Sequence, residues 1–256
     1  MPLPRLLEAN ALANLAVLRA KAYVAAGRSR EAAGLLLDVL QFARDQGSDG
    51  VLLSEMGGLS ILGTGLTELK VQMLAGKLDA EALADVERAL EVLERTLPDP
   101  AETLLNEALL FAGLADERTA GWGPQKLLMG DAAERLIPWM ERAGRAHALP
   151  WAAAQAEYRA LAAEAADSMN PMAKIAAPSF EGPAKARRTR LAQIRLLRQW
   201  ALRKSGKEVP AMEDPFGALL KSEGAKLWSV GPDGADDGGS GDWKGAGKDL
   251  VLESGQ

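Results

Sequence analysis

The sequence predicts a mainly α-helical protein that ends in a small, separate α+β module, and three observations carry that expectation. Apolar residues recur at helical spacing from Leu6 to about Ser168. Gly, Pro and Asp interrupt that stretch at the positions where helices stop and start. Beyond Gly206 the helical period gives way to short β-like runs in a Gly- and Asp-rich background. With 256 residues, 48% of them hydrophobic, the chain can bury the core of one large or two small domains. The expected division is a helical domain at 1–168, a linker or broken helix at 169–184, and a basic helix with a small β/loop module at 185–256.

The first helix is expected from Leu6 to Ala26, with Leu12, Leu15, Leu18 and Ala22 at helical spacing and Gly27 as its stop. Ser29 then caps a second helix, about Arg30 to Asp45, whose core face is Ala33, Leu36, Leu37, Leu40 and Phe42. The turn at 26–33, Ala-Gly-Arg-Ser-Arg-Glu-Ala-Ala, resembles the turn between the paired helices of a tetratricopeptide unit, although no second copy follows at a fixed period. A third helix, about Gly50 to Leu74, carries Gly57, Gly58, Gly63 and Gly65, each costing about 1 kcal/mol relative to alanine in a helix interior. Close packing of neighbouring helices is one reason to tolerate them; a kink or ligand groove is the other.

Asp79 caps a helix through Thr96, and Asp99-Pro100-Ala101-Glu102 supplies an N-cap, a proline at the first helical position and an acid two residues on. Asp131-Ala132-Ala133-Glu134 repeats the capping logic, after an irregular connection from Arg118 to Gly130 in which Trp122 is expected to plug the packing. Pro150 opens an Ala-rich helix reaching about Ser168. Asn170-Pro171, Pro178 and Gly182-Pro183 break the pattern before the basic stretch 185–207. There, Arg187, Arg188, Arg190, Arg195, Arg198, Arg203 and Lys204 alternate with Leu191, Ile194, Leu197 and Trp200. This is expected to be an amphipathic helix with a solvated basic side, with anionic-lipid membrane or nucleic-acid contact as its sharper alternative.

Composition and charge exclude several functions. A net charge of −5 lacks the basic excess that attracts a phosphate backbone, so nucleic acid is not an expected partner. Without cysteine there is neither a thiolate nucleophile nor a Cys-ligated zinc site. The one histidine, His147, falls at a helix end, where an imidazolium would face the carbonyl dipole favourably. No Gly-x-Ser-x-Gly, phosphate loop or His-Glu-x-x-His occurs. The helical acids Glu55, Glu68, Glu107, Glu134 and Glu157 leave paired-carboxylate hydrolysis as a third possibility, with no spacing that singles out a pair. The sequence therefore reads as non-catalytic. It holds no apolar run long enough for a signal peptide or a spanning helix.

Residues 231–249 concentrate five aspartates among seven glycines. Calcium takes six to eight oxygens, and such a loop can wrap carboxylates and carbonyls around one ion; it lacks EF-hand spacing, and a flexible acidic tail has the same composition. The order of pieces around the loop is more specific. A helix ending at Gly206 leads to Val209-Pro210, Asp214-Pro215-Phe216-Gly217, a strand, Trp228-Ser229-Val230-Gly231-Pro232-Asp233-Gly234, the acidic loop and Asp249-Leu250. This series, over about 185–253, resembles the C-terminal half of the major pseudopilins of type II secretion systems, in which the loop binds calcium.

The resemblance implies Asp233 and Asp249 as side-chain ligands and the Ser229 region as a carbonyl ligand, with Asp236 and Asp237 as further candidates. Three departures stand against it. The span from Gly234 to Asp249 is long, Lys248 replaces an acid, and a basic helix preceded by some 180 residues replaces the long apolar N-terminal helix of a pseudopilin. The whole chain resembles bacterial envelope proteins in which a helical region precedes such a tail. The expected function is an envelope-associated, non-catalytic protein-interaction or scaffold protein, periplasmic or cell-envelope associated, with a calcium-stabilised module. The alternative is a cytoplasmic helical scaffold with a disordered acidic tail.

Overall fold

The computed structural model describes residues 6–118, 123–176 and 179–253. The described part is mainly helical, with a small four-stranded sheet at the C-terminal end. Helix α1 (Leu6–Ala25) turns at Gly27 into α2 (Ser29–Gly47), and α3 (Leu52–Leu74) packs on both. Gly27 takes φ +74°, which a side chain would strain, so the hairpin turn falls where the sequence placed it. The inner face of α1 differs from the expected one. Ala9, Ala13, Val17 and Ala20 are buried, whereas Leu12, Leu15 and Leu18 are 58–63% exposed. Small side chains let α1 lie close against its neighbours, and the leucine row is left outside.

Helix α4 (Ala80–Thr96) begins at Asp79, whose carboxylate accepts the Ala82 amide at 2.9 Å; it packs against α2. Helices α5 (Pro100–Arg118) and α6 (Pro124–His147) pack closely together. The start expected at Asp131 is corrected: α6 begins at Pro124, and Asp131 lies inside it, bonded to Arg135 at 2.9 Å and to Asn170 at 2.7 Å. A proline at the first helical position starts the helix seven residues earlier. Trp122 and Pro178 lie outside the described residues. Helix α7 (Trp151–Asp167) packs on α6, and the expected broken segment holds the short α8 (Pro171–Ala176), which also lies on α6.

Helix α9 (Glu181–Lys204) touches α3, α4 and α7 on one side and the sheet on the other. Ala192, Ile194, Leu196, Leu197 and Ala201 are wholly buried, and Arg188, Gln193 and Gln199 are buried with them. The expected solvated basic side is therefore absent from most of this helix. Arg187 meets Glu55 of α3 at 2.9 Å, Arg195 meets Glu94 of α4 at 2.7 Å, and Arg198 lies 3.3–3.8 Å from Glu87, Glu91 and Glu94. The acidic row of α4 and the basic row of α9 neutralise each other inside the molecule.

After α9 the chain forms β1 (Lys221–Glu223), β2 (Lys226–Ser229), β3 (Gly241–Asp242) and β4 (Asp249–Leu252), in the order β1-β2-β4-β3. β1/β2 and β2/β4 are antiparallel, with Trp228 opposite Val251, while β3 runs parallel to β4. Leu227, Leu250 and Leu252 are fully buried, and β2 and β4 both lie against α9. One continuous apolar core runs from Ala9 in α1 to Leu252 in β4. The tail is thus folded at least to Glu253, where the alternative reading expected disorder.

Candidate functional site

The C-terminal module is built around two buried aspartates. Asp214 opens the Asp-Pro-Phe-Gly turn, and its carboxylate accepts the Phe216 amide at 2.9 Å, the Val230 amide at 2.8 Å and the Ser229 hydroxyl at 2.7 Å. It fastens the turn to the end of β2. The turn is held from the helical side as well. Arg188 donates to the carbonyls of Pro215, His147 and Leu149 and lies 5.3 Å above the Trp151 ring. Trp151 in turn donates to the Pro232 carbonyl at 2.8 Å and meets the Phe216 ring edge-on, 5.4 Å between centroids.

The second buried carboxylate is Asp249, fully removed from solvent at the start of β4. It accepts the Gly239 amide at 2.7 Å and the Asp237 amide at 3.4 Å, so the acidic loop closes over it. Burial pushes its carboxyl above the usual range; the two amides pull it back down, and the charges of Asp236 and Asp237 push it up again. No cation pairs with Asp249 among the described residues. Asp236 is held by Lys221 and by the Trp228 indole at 3.0 Å, and these bonds bring its pKa down to about 2. The sharp entry to the loop needs Gly231, which has φ +71° and lies where any Cβ would run into the Lys248 carbonyl.

Of the residues expected to bind calcium, Asp236 and Asp237 lie near enough to Asp249 to act on it through their charge. The Ser229 hydroxyl is turned to Asp214, and Asp233 is exposed, accepting the Ala235 amide at 3.1 Å within its own turn. No three acidic or histidine side chains among the described residues already stand in a metal-holding arrangement. The carboxylates nonetheless fit a hard cation in kind: one is buried with no positive partner, and two more act on it through their charge. Sequence reasoning missed the role of Asp214. Its signal was the Asp-Pro pair fifteen residues before Ser229, at the head of a turn whose amides need an acceptor.

Comparison with protein-family models, with curated proteins and with solved structures gave no match.

His147 departs from expectation. Its imidazole is half-buried beside Arg187 and Arg188, and loss of solvent first, then those two charges, brings its pKa down to about 3, so the ring at this helix end is neutral. With Glu55, Tyr158 and Arg187 it lines a cavity of only about 20 Å³, room for about one water molecule. Four of the five acids considered for paired chemistry are engaged in separate contacts. Glu55 binds Arg187, Glu68 binds Lys21 and Gln72, Glu107 accepts the Leu52 amide, and Glu157 binds Arg142.

Proposed function

We propose that the chain is a non-catalytic scaffold protein of the bacterial cell envelope. Its helices bind another protein, and its pseudopilin-like C-terminal module is stabilised by one calcium ion. The observation that carries this reading is Asp249, a buried carboxylate with Asp236 and Asp237 acting on it and no cation beside it. Asp249 and Asp237 would hold the ion together with loop carbonyls, while Asp236, bound to Lys221 and Trp228, would act on it through its charge. Bound there, calcium ties the loop to β4 and neutralises aspartates that otherwise repel one another. Support for the interaction role comes from the leucine row of α1, where Leu7, at 88% exposure, continues the line of Leu12, Leu15 and Leu18.

The test is thermal unfolding of chelator-treated protein with millimolar calcium or magnesium. A ligand at a hundred times its Kd adds about 2.7 kcal/mol, which in a chain of this size raises Tm by about 5–10 °C. The expected result is a calcium-selective rise that Asp249→Asn and Asp237→Asn both lose. An equal response to magnesium, or a shift that survives both substitutions, would refute the assignment.

A further inference from the structure

A groove of about 690 Å³ opens between α1, α3 and α9 and is bounded at one end by the turn after β3. Its charged lining is Lys21, Lys185, Arg190 and Lys244 against a single acid, Glu68. Glu68 is already taken, by Lys21 at 3.1 Å and by Gln72. Among the described residues, Lys185, Arg190 and Lys244 form no ion pair, so three positive charges converge on one concavity of a chain whose net charge is −5.

Arg190 differs from its neighbours on α9. Arg187, Arg195 and Arg198 all meet carboxylates, whereas Arg190 donates Nε to the Leu59 carbonyl at 3.0 Å and Nη1 to the Gln193 side chain at 2.8 Å. Gln193 is buried and fixed in turn by its bond to the Trp243 carbonyl, 2.8 Å away. These two neutral acceptors hold the guanidinium in place and leave its charge uncompensated. Its remaining N–H groups make no bond within the described protein. Arg190 also explains why α3 carries a glycine at position 63. A Cβ at that position would collide with the Arg190 guanidinium, which lies flat on the α3 backbone. The glycine makes room for a fixed, half-buried cation at the floor of a groove.

We propose that this groove binds a phosphate group, carried as a phosphomonoester or diphosphate. A planar fork with free N–H groups matches phosphate oxygens, and flexible lysines above it supply the remaining charge. Three uncompensated cations call for a ligand of charge about −2 or more, which phosphate carries and a lone carboxylate does not. The groove volume lies within the range of ordinary small-molecule sites, so the body of the ligand fits beside the phosphate.

The test is calorimetric titration of chelator-treated, dialysed protein with pyrophosphate at constant chloride, beside the variant Lys185→Gln/Lys244→Gln. Both lysines are exposed, so the variant keeps its fold, which an unchanged Tm verifies. Saturable binding of one pyrophosphate per chain is expected, weakened about tenfold or more in the variant and by added salt. Gly63→Ala, which displaces Arg190, is expected to weaken it independently of the lysines. Binding to phosphatidylcholine vesicles containing phosphatidic acid, reversed by pyrophosphate, would assign the phosphate to a lipid headgroup; no binding to them would assign it to a soluble ester. Absence of saturable pyrophosphate binding, equal affinity in the double variant, or an equal response to acetate would overturn the proposal. Calcium plays no part in this titration, so its outcome stands apart from that of the metal site.

Discussion

At the scale of single residues, burial, charge and hydrogen bonds lower the pKa of His147 and Asp236 and raise that of Asp249. His147 has a folded pKa of about 3 against an ordinary 6.5, so the unfolded chain binds its proton first. Its contribution is constant above pH 6.5, and stability falls as pH drops below that value. Between pH 7 and pH 5 the loss reaches at most about 2 kcal/mol, visible as a lower urea midpoint that His147→Gln does not show. Asp236, held down to about 2, stabilises the fold above the usual carboxylate range and loses that contribution as pH falls from 3.8 toward 2. Asp249 is opposite in sign. Its raised pKa makes the carboxylate the costly form, so the penalty is absent in acid and appears as pH rises through the folded value. Without metal at pH 7, Asp249→Asn is therefore expected to melt at or above the wild-type temperature, since the amide oxygen still accepts from Gly239. A clear drop in Tm would show that the charge is not a burden. Asp249 and Asp214 were both visible in the sequence as aspartates beside turns. Their burial was not, because it depends on β2, β4 and the Asp-Pro-Phe-Gly turn meeting across the chain.

Elements repeat the lesson with pairs of faces. The helices α2, α4 and α7 were legible from spacing, α4 from its Asp79 cap as well, and β2 and β4 from the loss of the helical period. The cap expected at Ser29 is corrected, since Ser29 lies inside α2 and turns its hydroxyl to Asp79. The fate of the basic row on α9 was not legible, because its partner row Glu87, Glu91 and Glu94 lies about a hundred residues earlier on α4. Read alone, a basic face looks solvated; read with α4, it is an internal seam. Removing Arg198 by substitution to Ala takes away the cation shared by Glu87, Glu91 and Glu94 and leaves them only Lys207, Arg95 and Arg195, at a mostly buried contact. It is expected to cost about 2 kcal/mol in urea unfolding, more than an exposed ion pair would. The glycines of α3 separate two effects that composition merges. A Cβ at Gly58 would fall 2.5 Å from the Ala43 carbonyl oxygen, so Gly58→Ala is expected to destabilise by about 1–3 kcal/mol despite better helix propensity. At Gly34, on the exposed side of α2 with no atom near the added carbon, the same change should stabilise by about 1 kcal/mol. Equal signs from the two variants would show that close packing is not what α3 uses its glycine for.

For the whole molecule, α9 is the connection between the helices and the sheet. The helical character and the C-terminal sheet followed from period and composition; the shared core did not, since only folding shows that a helix rich in arginine packs against both the helices and the sheet. Among the described residues no helix is long and apolar enough to cross a membrane. The proposed calcium ion would tie the loop over Asp249 to β4 and so hold this module in place. Calorimetric titration of the chelator-treated protein with calcium tests this proposal most directly. One ion per chain, bound in preference to magnesium and lost in Asp249→Asn, is the expected result. No saturable calcium binding, or binding undiminished in that variant, would contradict the account and leave the buried carboxylate held by the loop amides alone.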